Sequence, residues 1–322
     1  MASSTYPARN PQLALAGFYR RIRAWDELAR LVTLASAALI LTIVGLIVFE
    51  LWVSSQSTVR TFGWSFLTSS RWDPNAEKFG ALPFIYGTCV TAFLALLIAV
   101  PFGVMASIFL AELAPPRLSN VLTFLIELLA AVPSVIYGLI GIFALLPMIR
   151  SYLVPFLTGV FGYLPLFRGD FYGVSFLSAG LVLSVMVVPF IISVSREVLL
   201  AVPVDQREAA LALGTTKWET TWQIVIPNAK VGIIGSIFLA LARALGETMA
   251  VTMVIGNTPK ISASLLAPGY SIAAVIANEF AEASGDLYTS SLIFLGLVLF
   301  GLTIVINALA RVLILATTRR GA

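Results

Sequence analysis

The sequence predicts an all-α, polytopic membrane protein with six transmembrane helices, and three observations point there. Of its 322 residues, 59% are hydrophobic and only 11% are charged, with a mean hydropathy of +0.97. A soluble domain carries about 25% charged residues. The apolar residues gather into six stretches, each long enough for the roughly 20 residues that cross a bilayer core. Basic residues cluster before the first stretch (Arg20, Arg21, Arg23) and after the last (Arg319, Arg320), where the positive-inside rule places cytoplasmic ends.

The first 27 residues read as a cytoplasmic tail, with Phe18, Ile22 and Trp25 on one helical face at the membrane surface. No signal peptide is expected, because the apolar stretch that begins near Leu28 is too long for one. The first span is expected over 28–52, with Glu50 at its outer, interfacial end, followed by an external loop over 53–81. Residues 82–317 then hold five more spans: 82–112 with Pro101 and Gly103, 118–149 with Pro133 and Pro147, 174–200 with Pro189, 229–256 and 289–316. Six crossings put both termini in the cytoplasm. The turn Ala114–Arg117 and the polar stretch Arg196–Lys230 face the same side, and the loops 150–173 and 257–288 face outward.

Composition also excludes chemistry. There is no histidine, so histidine-based triads, metal sites and proton relays are absent. Cys89 is alone, which rules out an internal disulfide and a multi-cysteine metal site. The net charge of +4 is accounted for by cytoplasmic basic residues and calls for no nucleic acid.

The polar stretch is the most patterned part of the chain. Asp205 is placed to cap a first short helix that ends at Gly214. Thr216 and Glu219 form a capping-box pattern for a second, which Pro227 is expected to stop, and Trp218, Trp222 and Val225 share a face. A compact helix pair outside the bilayer is either a loop resting on the membrane or a docking element.

Two charges fall inside the membrane. Arg243 lies about 13 residues beyond Lys230, so about 20 Å along a helix and near the middle of a roughly 30 Å core. Such an arginine costs at least about 2.5–3.5 kcal/mol on insertion scales. Glu247 follows one helical turn later. The two form either a structural ion pair between helices or part of a polar pathway in which the guanidinium fork meets a tetrahedral oxyanion. Glu127 is a second membrane acid, six residues before Pro133. That proline frees a carbonyl near residue 129, with Ser134 and Tyr137 close by to supply hydroxyls. This is either a packing kink or further lining of the pathway.

The spacing Glu208-Ala209-Ala210, Gly214, Ile224, Pro227 resembles the EAA loop of ABC-importer permeases, with Ile226 where the family usually has leucine. The resemblance implies a type I importer permease architecture. It also implies that this loop (203–228) is a coupling element docking into a separate ATPase, so that this chain is no enzyme and binds no cofactor itself; ATP and Mg²⁺ belong to the partner. The absence of a Gly-x-x-x-x-Gly-Lys-Ser/Thr phosphate loop agrees. Three further segments, Ala130–Gly138, Arg243–Thr252 with Ile255–Asn257, and Ala277–Ala283, resemble phosphate-specific permeases of the PstC type. That narrower resemblance implies phosphate import across a bacterial inner membrane, with Arg243 and Glu247 as translocation residues. Thr248 lies within the same motif and joins Glu127, Ser134 and Tyr137 as candidate lining. The implied partners are a second permease of the PstA type, an ATP-binding dimer, an external phosphate-binding protein and membrane lipid. Sulfate or molybdate transport, or a mainly phosphate-signalling role, remain alternatives on the residues alone.

Overall fold

The computed structural model describes the backbone of residues 11–319 and the side chains of residues 26–312. Among the described residues the regular elements are helices, and six are long and apolar enough to cross a membrane. The chain divides into two compact units, Met1–Val53 and Ser54–Ala322. The first is one helix that begins at Pro11 and continues to Ser54, with Asp26–Ser54 as its membrane-length part (span 1). The amphipathic face expected at Phe18, Ile22 and Trp25 lies outside the described side chains, as do the basic residues of both tails.

The second unit holds span 2 (Leu82–Leu113), span 3 (Ser134–Phe161), span 4 (Phe176–Leu200), span 5 (Lys217–Gly246) and span 6 (Asp286–Val312). Spans 2, 4 and 6 fall close to the sequence expectation. The third and fifth differ, and proline and glycine chemistry explains both. Instead of one helix over 118–149, the chain forms Pro116–Ala131 and restarts at Ser134. Pro133 has no N–H and forces Val132 into an extended conformation (ψ 130°). Span 3 therefore continues to Phe161 and takes over half of the loop expected at 150–173. Span 5 starts earlier, at Lys217, because Pro227 does not end the helix. A widened π turn over Thr221–Val225 precedes it, and Pro227 sits in the first turn of the helix that follows, where a missing N–H is tolerated. Span 5 then stops at Gly246, and a separate helix covers Met249–Val254.

Spans 2 and 4 form the centre. Hydrocarbon provides no hydrophobic drive between helices, so close packing of small residues must hold them. Ala92, Ala95 and Ala99 of span 2 are fully buried against Ala179, Leu183 and Val187 of span 4. A Cβ on Gly103 would press on Ile191, and one on Gly180 on Leu94. Ser195 and Ser236 hydrogen-bond at 2.7 Å between spans 4 and 5.

A second core gathers the segments 54–81 and 270–288. Phe66, Phe79, Phe84 and Tyr270 are buried around Trp72. Glu279 organises it, accepting from Trp72 Nε1–H at 2.8 Å and from the Tyr288 hydroxyl at 2.7 Å. Burial pushes the Tyr270 hydroxyl far above its usual range, so it stays neutral while Asn278 donates to it.

Gly87 is where this second core meets span 2, and a Cβ there would overlap the Tyr270 backbone carbonyl. Gly87→Ala is expected to destabilise the protein by about 1–3 kcal/mol through overpacking against backbone. Gly301→Ala, inside a helix with open space around it, should not destabilise and is expected to gain up to about 1 kcal/mol from helix propensity. Thermal unfolding in detergent compares the two.

Candidate functional site

One part of the site is built from two short helical segments. Val204–Ala212 begins after Pro203, which occupies the cap position without a side-chain cap bond. Asp205 is exposed in the first turn and does not cap, contrary to the sequence expectation. Gly214 closes the helix at φ 88°, a left-handed conformation that glycine adopts without strain. The Thr216–Glu219 capping box is formed: Thr216 Oγ1 accepts from the Glu219 N–H at 3.2 Å, and Glu219 Oε2 accepts from the Thr216 N–H at 2.8 Å. Thr215 ties the pair together, donating to the Ala210 carbonyl and sharing a 2.8 Å bond with Thr220.

Between the two segments lies a cleft of about 520 Å³ whose lining includes Ala209, Ala210 and Ile224. Glu208, Ala209, Gly214 and Pro227 are exposed, Ala210 is buried and Ile224 is half-buried. Large apolar side chains also face outward here: Leu213 is 87% exposed, and Trp218 and Trp222 stack at 5.9 Å while exposed. Val225 does not share their face. The π turn rotates it inward, where it is fully buried.

The remaining candidate residues collect at two helix breaks, one just before span 3, with Glu127 in the separate helix that precedes it, and one just after span 5. At the first, the Leu129 carbonyl freed by Pro133 accepts from the Tyr137 hydroxyl at 2.6 Å and from the Val132 N–H at 3.2 Å. Tyr137 is buried, Ser134 is half-buried and Glu127 is exposed. At the second break, Glu247 is extended (ψ 127°) rather than helical. The expected one-turn pairing of Arg243 and Glu247 therefore does not form, and among the described residues no ion pair joins them. The Glu247 carboxylate instead accepts from the Ala250 N–H at 3.3 Å, at the start of the next helix. Thr248 is half-buried; its hydroxyl donates to the Gly246 carbonyl at 3.3 Å, and its own carbonyl accepts from Thr252 Oγ1.

The breaks are adjacent in space. A Cβ on Gly138 would meet Met253 Sδ and Ala250 Cα, and one on Gly141 would meet Val254. Arg243 occupies the last turn of span 5, where the helix dipole favours a cation. Its charge lies within electrostatic reach of the Tyr137 hydroxyl. It is exposed and, among the described residues, has neither a hydrogen bond nor an ion pair. Five N–H donors are thus presented together, beside half-buried Glu247 and Thr248.

The family described as "Binding-protein-dependent transport system inner membrane component" matches residues 99–319. The chain belongs to this family. Similar proteins include the phosphate transport system permease protein PstC of Mesorhizobium japonicum, 46% identical over 305 residues (94% of this chain, 93% of that one). The PstC of Xylella fastidiosa is 47% identical over 294 residues (90% of each chain). A probable PstC of Methanocaldococcus jannaschii is 35% identical over 292 residues (89% and 92%). Among solved structures, a bacterial ABC transporter that imports alginate covers 90% of this chain and 98% of its own at TM-score 0.54 and 16% identity, a likeness of fold. The chain is thus a multi-pass permease component of a binding-protein-dependent transport system, not an enzyme.

Sequence reasoning missed one prominent pair in this permease: Arg207 with Glu112, at 2.9 Å. The signal was a single acid, Glu112, near the C-terminal end of an otherwise apolar span. Its partner, 95 residues further along the chain, had no sequence marker.

Tyr137→Phe removes the hydroxyl that bridges the first break. It is expected to cost about 1 kcal/mol, the net worth of one hydrogen bond, read as a lowered unfolding temperature of the purified permease.

Proposed function

We propose that the chain is a permease subunit of an ATP-driven importer that moves inorganic phosphate into the cytoplasm. One observation supports this reading most: Arg243, in the last turn of span 5 rather than at the mid-span depth the sequence suggested, has its donors unspent at a break in the helix and lies on the surface of the chain. Lipid is a poor neighbour for such a group, and irregular backbone at membrane depth belongs against protein or a water-filled path. A planar guanidinium fork offers two parallel hydrogen bonds to a phosphate oxyanion. The similar proteins are named phosphate transport system permeases, which agrees with that chemistry.

In this reading Arg243 holds phosphate weakly on its way through. Glu247 keeps a negative charge close by, so that the arginine does not become a trap. Glu127, Ser134, Tyr137 and Thr248 line or support the route. A second permease of the PstA type covers the exposed face, and an external phosphate-binding protein delivers the ion. Glu208, Ala209, Ala210, Gly214, Ile224 and Pro227 form the docking element for an ATP-binding dimer, which holds the ATP and Mg²⁺. Both termini lie in the cytoplasm of a bacterial inner membrane. ATP-driven closure of the dimer moves the helix pair, and the spans switch as rigid bodies between outward and inward access.

Co-purification of the partner subunits, followed by phosphate and sulfate uptake in reconstituted vesicles, tests the assignment. Arg243→Gln is expected to abolish phosphate uptake with the complex still assembled, and normal uptake in that variant would refute the role. Sulfate carried in preference to phosphate would move the chain to another oxyanion.

Gly214→Leu forces a side chain into φ 88°, a strain of about 1–2 kcal/mol. Among the described residues, chain neighbours apart, no atom lies within 4 Å of the added Cβ, so the folded spans should survive while ATPase retention falls. Full retention with coupled hydrolysis would argue against docking at this loop.

A further inference from the structure

We propose that Arg207 and Glu112 are the mechanical link of this permease: positioning residues that carry the displacement of the 204–212 helix into spans 2 and 4. The proposal rests on the reading that this helix docks an ATPase. Arg207 Nη2 donates to Glu112 Oε1 at 2.9 Å, and Nε donates to Oε2 at 3.3 Å, a two-point fork. The same guanidinium donates from Nη2 to the Leu199 carbonyl at 2.7 Å and from Nη1 to the Val202 carbonyl.

Three elements therefore meet on one rigid plane. The 204–212 helix supplies Arg207, the π turn Phe109–Leu113 at the end of span 2 supplies Glu112, and the last turn and exit of span 4 supply the two carbonyls. The pair is sheltered, with side chains only 17% and 10% exposed. Four contacts to one planar group fix orientation as well as distance, which a single ammonium does not do. The next residues, Glu208 and Ala209, are exposed, so one helical turn carries both the outward face and the anchor. A second tie reinforces the same layer: Arg196 of span 4 reaches Ser119 at 3.4 Å, and Ser119 donates to the Leu110 carbonyl of span 2 at 2.8 Å. A push on the helix pair is thereby transmitted to the ends of two central spans with little slack, because packed protein deforms little.

The test uses the whole transporter, reconstituted with its ATPase and binding protein, and measures phosphate moved per ATP hydrolysed. Glu112→Gln breaks the fork without touching the exposed docking face. Retention of the ATPase and its basal hydrolysis are expected to hold, while phosphate moved per ATP falls about tenfold, within the usual range of coupling between sites. Arg207→Lys keeps the charge but loses the plane and should fall between the two. The double variant Glu112→Gln with Arg207→Gln should lose no more than the worse single one, because the two act as a unit. A wild-type ratio in Glu112→Gln, or losses that add in the double variant, would overturn the link. If Glu112→Gln does not accumulate, Arg207→Lys decides by the same ratio. Failure of the docking reading looks different: the unaltered chain then fails to retain the ATPase at all.

Discussion

Backbone groups freed where a helix breaks need new partners, all the more where water is scarce, and this permease depends on how it meets that constraint at two interruptions, one before span 3 and one after span 5. At Val132–Pro133 the freed Leu129 carbonyl is taken up by Tyr137 and Val132. At Glu247–Thr248 the start of the next helix is met by the Glu247 carboxylate on the Ala250 N–H. Each break is partly mended by its own side chains, and the two are pressed together through Gly138 and Gly141. The consequence for function is indirect but firm. With Glu247 occupied by backbone, Arg243 is left at the end of span 5 with its donors free.

Different forces hold the different levels. At the centre, alanine and glycine let spans 2 and 4 approach until side chains interlock. At the end bearing the aromatic core, large rings surround Trp72 and are oriented by a single carboxylate, Glu279. At the polar helix pair, charged and hydroxyl groups do the joining: Arg207 with Glu112, Arg196 with Ser119, Thr215 with Thr220. Packing alone would suffice to hold helices together. Directional bonds add a fixed orientation, which matters where one element must move another.

Much of the architecture was legible in the sequence because lipid imposes simple rules. Long apolar stretches had to become helices, so spans 2, 4 and 6 fell where expected. The Thr216–Glu219 capping box and the Gly214 stop are local chemistry, and both are present. Prolines were harder, since the effect of each depends on its context. Pro133 broke a helix that sequence reading had carried through to 149, whereas Pro227 was absorbed by a π turn that no residue pattern announced. The Arg243–Glu247 spacing suits a helical pair, but the helix ends at Gly246, between them.

The sequence by itself determined the fold class, the family and the identity of the chemically unusual residues. The fold class and the unusual residues follow from composition, spacing and the cost of charge in hydrocarbon, and the family from the resemblance of Glu208–Pro227 to the EAA loop. Only the tertiary structure decided which of those residues are spent and which are free. Glu247 caps a helix, Tyr137 mends a break and Arg207 clamps two spans, while Arg243 keeps its donors unused. The reason is physical: a hydrogen bond needs its partner within about 3 Å, and residues such as Glu112 and Arg207 are brought that close only when distant helices pack.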